Sequence, residues 1–373
     1  MGLGVLVSQV LYWFPWIGAA EFPEQTTFGT ARFAKTDELK PLTGPQGLLI
    51  GRTLGKRPAL LRYDGPAHLL TIAPTRSGKG VGTIIPNLLS ADRSVLVVDP
   101  KGENARIAAR ARGKFGKTFI LDPFGIAGPS SAAFNPLAAL EPDAPDLLDD
   151  AASLAEAIVY DPPAQVADAH WNEEARALFI GLTLFCVCHE HANARTLATI
   201  RNYLSLGPQK FAGLIDLMIE SDKAAGLVSR AGHRFNGKSE KEAASVLSTL
   251  QRHTNFLDSP RIQNVTSRSD FAFGDLKRGI VSVFLVLPPD RMDAYARWLR
   301  LMVGQAIQDI AREPAKPAKP VLFLLDEFAA MGRLPAIERA FGLMAGYGMQ
   351  LWPILQCKIA RNNDPVRGSF RVQ

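Results

Sequence analysis

At residues 68–80 an apolar run typical of a buried strand leads directly into a loop of small residues. The run covers residues 68–72, and the loop at 73–80 reads APTRSGKG, followed by a stretch compatible with a helix. Small residues let backbone N–H groups converge on phosphate oxygens, a lysine reaches the outer phosphates, and a helix N-terminus favours negative charge. The segment therefore predicts a strand, a phosphate-binding loop and a helix, as in an α/β fold.

The loop departs from the generic pattern G-x-x-x-x-G-K-[ST] at both ends. Ala73 replaces the first glycine, and Gly80 replaces the hydroxyl residue that would bind magnesium. Thr83 is a substitute hydroxyl, although its distance along the helix argues against direct ligation. Taken alone, the segment could also be a glycine-rich turn. The residues predicted to hold the nucleotide are Thr75, Arg76, Ser77, Gly78, Lys79, Gly80 and Val81, and Lys79 is also predicted to act in catalysis.

A second signal is a pair of carboxylates at the end of a buried strand. The strand 321–325 reads VLFLL, and Asp326 and Glu327 follow it. Open α/β sheets collect ligand groups at the carboxyl ends of their strands. Asp326 is predicted to hold Mg²⁺, directly or through water, and Glu327 to orient and deprotonate the attacking water. An apolar run ending in two carboxylates can be a solvated strand end, but together with Lys79 it predicts an ATP site.

Polar residues follow two further strands. Gln356 comes after the strand at 350–355 and is predicted to act in catalysis by sensing the γ-phosphate; the alternative is a polar strand end. Asp99 follows the strand at 94–98, opens a turn with the sequence DPKGE beside the phosphate loop, and is predicted to lie in the same pocket. The alternative for Asp99 is an N-cap of the next helix.

Buried-strand patterns recur along the chain with helical stretches between them. They lie at residues 69–72, 94–98, 118–121, 280–287, 321–325 and 350–355. Between about residues 140 and 275 no convincing strand appears. In that segment Asn172 is expected to cap one helix, and Ser239 with Glu242 forms a capping box for another. The patterns predict an α/β fold with a mostly parallel sheet and an inserted all-α domain.

The bulk composition bounds the class of protein. The chain has 373 residues, of which 47% are hydrophobic, which is too long for one compact core. A net charge of +6 suits contact with phosphate backbones without requiring it. Its three cysteines, Cys186, Cys188 and Cys357, lack CxxC spacing. They therefore indicate a reducing cytoplasm rather than disulfides or a zinc site.

Residues 3–20 carry no charge and include four aromatic residues between positions 12 and 16. The run is borderline in length for a bilayer span and Pro15 interrupts it, while the aromatic group is similar to an interfacial belt. No positive charge precedes it, as a signal peptide would require. Arg32 and Lys35 follow it and would keep the rest of the chain in the cytoplasm. We predict a membrane anchor, with a buried N-terminal helix as the alternative.

Six segments, in this order, resemble TraG-type coupling proteins of type IV secretion. They are residues 28–34 (FGTARFA), 61–66 (LRYDGP), 73–80 (APTRSGKG), 98–103 (VDPKGE), 134–137 (FNPL) and 325–328 (LDEF). Glycine after the loop lysine is common in that family. The resemblance implies a RecA-like P-loop NTPase with an inserted all-α domain, an anchor in the bacterial inner membrane with the bulk of the chain in the cytoplasm, and assembly as a homo-hexamer.

The resemblance also implies partners. They are a relaxase–DNA complex, which the protein would hand to the type IV secretion channel, and the channel proteins themselves. The basic excess predicts that DNA contact is independent of sequence and sensitive to salt. In a ring, an arginine of a neighbouring subunit would complete the ATP site. Arg297, Arg300 and Arg333 are candidates, and a surface position is the alternative for each.

The predicted organisation has five parts. They are a membrane anchor at 1–20, the first part of the nucleotide-binding domain at 21–139, the all-α domain at 140–275, the second part of the nucleotide-binding domain at 276–356 and a divergent tail at 357–373. Two features depart from the family: at most one span precedes the soluble part, and the family pattern is lost after Gln356, as in a truncated chain. The alternatives are a catalytically silent remnant that only binds nucleotide or partners, and an FtsK- or HerA-like DNA pump. The segments 28–34 and 134–137 argue against the pump.

Overall fold

The computed structural model describes residues 34–53, 56–74, 76–161, 169–343, 345–359 and 370–372. The predicted anchor and Thr75 lie outside these residues. In the ranges just given, every helix is too short or too polar to cross a bilayer.

A seven-stranded sheet lies at the centre of the fold. The described residues contain nine strands, of which β3 to β9 form this sheet. They are β1 (Leu48–Arg52), β2 (Leu60–Tyr63), β3 (Thr71–Ala73), β4 (Val95–Asp99), β5 (Lys117–Leu121), β6 (Val281–Val286), β7 (Val321–Leu325), β8 (Met349–Ile359) and β9 (Phe370–Val372). The sheet order is β3-β8-β7-β4-β6-β5, with all these pairs parallel, and β9 adds antiparallel to β8. β1 and β2 form a separate antiparallel pair. The predicted α/β fold with a mostly parallel sheet is confirmed.

Helices cover both faces of this sheet. The helices of the described residues are α1 (Ile85–Ser90), α2 (Glu103–Arg112), α3 (Leu147–Ile158), α4 (Ala169–His189), α5 (Leu197–Leu204), α6 (Pro208–Ile219), α7 (Leu227–Asn236), α8 (Glu240–Thr254), α9 (Pro260–Val265), α10 (Asp275–Arg278), α11 (Met292–Arg312) and α12 (Pro335–Leu343). Helices α3 to α10 fall between β5 and β6. Strands are absent from that interval as far as the structure describes it, that is, outside residues 162–168.

The central strands are apolar except for Asp99 and Ser282, because both of their faces are covered. All positions of β4, β6 and β7 are buried, as expected for parallel strands between helix layers. Alternate residues enter different cores. Leu96 and Val98 join a large cluster with α3, α4 and α11, whereas Val95 and Val97 pack in a smaller cluster with α1 and α2.

The end of the predicted last strand is wrong. Sequence patterns place it at 350–355, but β8 continues to Ile359, and β9 pairs with its final residues. Gln356 therefore lies inside a strand, where it pairs with Ala73 of β3, rather than at a strand terminus. β8 continues past the polar residues that suggested its end because it pairs there with two other strands. β3 pairs in parallel with residues 354–356, and β9 pairs antiparallel with residues 357–359.

Two helix starts show where local patterns succeed and fail. Ser239 caps α8 as predicted, because its hydroxyl accepts a hydrogen bond from Glu242 N at 3.3 Å. Asn172 caps nothing: α4 begins at Ala169 and Asn172 is buried inside it. Its amide donates to Asp161 Oδ2 at 3.1 Å. This side chain therefore serves a tertiary contact rather than its own helix end.

Arg112 is fully buried and fastens the end of α1 to the start of β4. Its guanidinium donates to the carbonyls of Ala91 and Arg93 and to Ser282 Oγ. Burial lowers the pKa of Arg112 to about 10. Removing the side chain would take away the donor to the carbonyl of Arg93 and leave Ala91 O with only the bond from Arg93 N.

We therefore expect Arg112→Ala to lower the free energy of unfolding by about 3 kcal/mol, measured from the urea midpoint. Arg110→Ala is the matched control, because Arg110 lies on the same helix but is exposed. It should change stability by no more than about 0.5 kcal/mol. Equal midpoints for the two variants would contradict this role for Arg112.

His253 lies buried where α8 meets α11. Its Nε2 is 2.9 Å from Asn172 Oδ1, and Arg297 Nη2 is 3.1 Å from its Nδ1. Burial, with the charges of Arg297 and Arg252, lowers the pKa of His253 to about 3. In the unfolded chain a histidine has a pKa of about 6.5. As the pH falls below that value, His253 is protonated in the unfolded state but stays neutral in the folded state. Stability is therefore lost as the pH falls below that unfolded value.

Between pH 7 and pH 5.5 this linkage should cost about 1 kcal/mol of unfolding free energy. Most carboxylates stay ionised over that interval even in the unfolded chain. The measurement is urea denaturation at the two pH values for the wild type and His253→Gln. The glutamine variant should lose this part of the pH dependence; an identical dependence in both proteins would show that His253 does not cause it.

Candidate nucleotide-binding site

Lys79, Asp326 and Glu327 meet at the carboxyl edge of the sheet. Lys79 Nζ lies 3.4 Å from Asp326 Oδ1 and 3.6 Å from Glu327 Oε1. The loop after β3 carries the lysine and the end of β7 carries the carboxylates, with β8 between the two strands. Since all three strands are parallel, their carboxyl ends meet at one edge.

The backbone of the phosphate loop is shaped by two left-handed residues. Gly78 has a φ of +85° and Arg76 a φ of +62°. Gly82 N then donates to Gly78 O at 2.7 Å, which starts the helical segment that continues into α1. A residue with a Cβ is strained at the φ of Gly78, so glycine is needed there. Lys79 consequently projects from the first turn of a helix, where backbone N–H groups have no intrahelical partner.

A sharp turn directs both acidic side chains to the same place. Successive side chains of a continuing strand would point to opposite faces of the sheet. Glu327 instead adopts a left-handed conformation with a φ of +51°, and its N–H donates to Asp326 Oδ1 at 3.1 Å. Such a φ is uncommon for a residue other than glycine and is characteristic of functional sites. A 3₁₀ turn, Phe328–Met331, follows directly.

Asp99 supports the site from the end of β4. Its carboxylate is buried and accepts hydrogen bonds from Ala105 N at 2.8 Å and from Asn104 Nδ2 at 3.4 Å. It therefore ties down the start of α2 without being its N-cap, which is Gly102. Burial is the main cause that raises the pKa of Asp99, and the charge of Asp326 adds to it.

A cavity of about 450 Å³ opens between these elements. Its lining residues are Arg76, Gly78, Lys79, Gly80, Val81, Ile85, Asp99, Pro100, Lys101, Glu103, Asn104, Asp326 and Glu327. Ser77 and Thr83 instead line a separate cavity of about 340 Å³ on the β1 side of the loop. Thr83 is thus not placed to replace the hydroxyl missing at Gly80. Ile85 and Asn104 were not predicted: Ile85 reads as an ordinary helix-core residue, and Asn104 as part of a helix start.

The three arginines predicted as candidates for completing a neighbour's ATP site differ in how deeply their side chains are buried. Arg300 is fully buried, and Arg297 is largely buried; both donate to backbone carbonyls of their own chain. Arg333 keeps 64% of its side chain exposed and pairs with Glu338. Of the three, Arg333 is the one that a neighbouring subunit could contact.

The residues in the cavity fit a phosphate and a divalent cation. Lys79 Nζ is buried and, within the described ranges, finds no hydrogen-bond acceptor in spite of its ion-pair distances to two carboxylates. An ammonium buried in this way is stabilised by an anionic ligand. Burial is also the main cause that raises the pKa of Asp326, while Lys79 opposes the shift. A bound cation would favour the ionised carboxylate.

The charge and number of ligands favour magnesium bound together with phosphates. The described part of the chain contains no cluster of three or more His, Cys, Asp or Glu residues that could hold a metal alone. Mg²⁺ is commonly bound through one or two carboxylates plus substrate phosphates and water. Asp326 supplies such a carboxylate.

Comparisons with known proteins place these features in a family. The family model for type IV secretory system conjugative DNA transfer matches residues 24–363. A conjugal transfer protein TraG of Escherichia coli is 31% identical over 318 residues, which cover 79% of this chain and 49% of TraG. VirD4 of Agrobacterium fabrum is 30% identical over 380 residues, covering 94% of this chain and 52% of VirD4. The chain thus spans about half the length of the curated relatives it matches.

Solved structures of the plasmid coupling protein TrwB share the fold. Unbound TrwBdeltaN70 has a TM-score of 0.63 at 18% identity, and the match covers 87% of this chain and 69% of the solved TrwB chain. TrwB in complex with the ATP analogue ADPNP has a TM-score of 0.61, covering 88% of this chain and 75% of TrwB. The predicted RecA-like P-loop NTPase fold is confirmed by this likeness. The match over residues 24–363, with the predicted motifs in order, shows that the chain belongs to the type IV secretory system conjugative DNA transfer family.

Proposed function

We propose that this chain binds and hydrolyses ATP as the motor of a coupling protein, which delivers relaxase–DNA or protein substrates to a type IV secretion channel. The observation that carries the proposal is the meeting of Lys79, Asp326 and Glu327 in one cavity. TrwB has been solved with ADPNP and with ADP and Mg²⁺, which supports the choice of nucleotide and metal.

Each side chain then has a distinct role. Lys79 and the backbone around Gly78 bind the β- and γ-phosphates, and Asp326 holds Mg²⁺. When bound, Mg²⁺ neutralises charge on the phosphates. Glu327 orients the attacking water and accepts its proton. Gln356 remains a proposed sensor of the γ-phosphate, because its strand lies between those that lead to Lys79 and Asp326.

The distribution of charge suggests which part contacts DNA. Residues 140–275 contain 19 Asp and Glu against 12 Lys and Arg, although the whole chain contains 36 against 42. The positive excess therefore lies entirely in the rest of the chain. We propose that the sheet-bearing part contacts the phosphate backbone without sequence preference. The acidic helical segment is then better suited to protein substrates.

The remaining parts of the proposal come from the family. They are a homo-hexamer, contact with the relaxase and the channel proteins, attachment to the bacterial inner membrane with most of the chain in the cytoplasm, and the division into a nucleotide-binding domain with an inserted all-α domain. The exposed Arg333 is the proposed residue that reaches a neighbour's ATP. The family match argues against a DNA pump outside secretion.

ATP turnover of the purified chain with and without DNA tests the proposal. We expect DNA of unrelated sequences to stimulate turnover to a similar extent, and the stimulation to fall steeply as salt rises. Nucleotide binding without turnover under any of these conditions would favour the silent remnant instead. Stimulation that is unchanged between low and high salt would contradict the proposed contact with the phosphate backbone.

A further inference from the structure

Two arginines of α11 hold the chain where α3 ends. Arg300 Nε donates to Ala157 O at 3.2 Å, and Arg297 Nε donates to Ile158 O at 3.1 Å. Arg297 Nη2 also donates to Tyr160 O at 3.0 Å. The last carbonyls of a helix lack intrahelical donors and attract cations. Tyr160 is thus fixed relative to α11.

Arg300 also reaches the loop that follows the acidic pair. Its Nη1 donates to Met331 O at 2.8 Å and to Arg333 O at 2.7 Å. Its guanidinium stacks on the ring of Tyr160, 3.8 Å from the ring centroid. The side chain is only 1% exposed, and burial lowers its pKa to about 10. Burying a cation is costly unless its contacts compensate. Only arginine has the planar guanidinium that can donate several hydrogen bonds and stack on a ring at the same time.

Tyr160 closes the same loop from its other side. Its hydroxyl accepts a hydrogen bond from Arg333 N at 3.0 Å. Gly332 has a φ of +63°, and a Cβ there would lie 2.9 Å from Tyr160 Oη. The loop therefore packs so closely on the tyrosine that a larger residue at this position would push it away.

The loop at residues 328–333, which Arg300 and Tyr160 hold, continues the turn at Glu327. Ala330 N donates to Glu327 O at 2.9 Å, and Gly332 N donates to Ala329 O at 3.0 Å. The left-handed φ of Glu327 is strained, and strain of this kind persists only where the surroundings hold it. On one side of Glu327 the chain is held by β7, and on the other by Arg300 and Tyr160.

We propose that Arg300 and Tyr160 are positioning residues that hold the turn at Glu327 in the conformation needed for hydrolysis. They line neither the cavity nor the phosphate loop, so they act through the segment from Glu327 to Arg333 that they hold, and leave nucleotide binding unaffected. The inference rests on the proposed function, because it assumes that Glu327 acts on the attacking water.

The test uses two conservative variants and one matched control. Tyr160→Phe keeps the ring and its stacking but removes the bond to Arg333 N. Arg300→Lys keeps a cation but loses the paired bonds and the planar stack. Arg176→Lys is the control: Arg176 donates to Val159 O at 3.2 and 3.0 Å, in the same stretch of chain, without a bond to the loop.

We expect Tyr160→Phe to lower kcat about fivefold and Arg300→Lys at least about tenfold, with the KM for ATP within about twofold of wild type. Arg176→Lys should keep both constants. A wild-type kcat in both Tyr160→Phe and Arg300→Lys, the two clamp variants, would overturn the proposal. A loss of the same size in Arg176→Lys, or a rise of KM in parallel with the fall of kcat, would show a structural effect instead.

Amide hydrogen exchange gives a second readout that needs no turnover. In both clamp variants, peptides covering residues 327–333 should exchange faster, while those covering residues 76–82 should be unchanged. Unchanged exchange at 327–333 would overturn the proposal. If the wild type lacks turnover, the proposed function fails, yet exchange still decides whether the two residues hold the turn.

Discussion

Lys79→Ala is expected to lower ATP turnover about 10²–10³-fold, the usual consequence of removing one preorganised charge from a reacting phosphate. Lys79 Nζ is buried between two carboxylates, so its positive charge acts on the ligand with little screening by water. The measurement is steady-state phosphate release by the purified protein, together with the binding of a fluorescent ATP analogue.

Lys101→Ala is the matched control for this substitution. Lys101 lines the same cavity but is exposed at its rim. Its removal should change turnover by no more than about threefold, because an exposed charge is screened. If wild type and Lys79→Ala hydrolyse ATP equally slowly, the chain is catalytically silent. If both hydrolyse it equally fast, the phosphates bind elsewhere.

Glu327→Gln should lower kcat about 10²–10³-fold while leaving the affinity for ATP unchanged. The amide is nearly the same size as the carboxylate and can still orient a water, but it cannot accept the proton. Rapid mixing with labelled ATP separates binding from hydrolysis, and the variant should accumulate bound, uncleaved ATP.

Glu103→Gln serves as the control for Glu327. Glu103 also lines the cavity, at the start of α2, but it is exposed and lies outside the acidic pair. It should retain turnover to within about threefold. The assigned roles would be reversed if Glu327→Gln kept its turnover while Asp326→Asn lost it but still bound magnesium and nucleotide.

The strand at 321–325 and the phosphate loop could be predicted from the sequence, because each is specified by residues that are adjacent in the chain. The run at 321–325 and the loop around Lys79 each contain their own pattern of apolar, small and charged residues. Parallel sheet geometry then predicts that Lys79 and Asp326 share one edge. The insertion of β8 between their strands was not predictable, because strand order depends on contacts between residues far apart in the sequence.

The predictions for Asn172 and Arg300 fail because both side chains have partners far away in the sequence. Asn172 looks like a helix cap, but Asp161 and His253 draw it into a buried network. Arg300 resembles a surface residue, yet it is buried by contacts with Tyr160 and with the loop at Arg333. Local composition does not reveal whether a charged side chain has a distant partner, and it is the partner that decides whether burial is tolerated.

A crystal structure of the chain with Mg²⁺ and ADPNP would test the central claim most directly. The account predicts nucleotide in the cavity between the phosphate loop and α2, with the phosphates against Lys79 and the metal against Asp326. A nucleotide bound in the cavity on the β1 side of the loop, or a metal held away from the acidic pair, would contradict it.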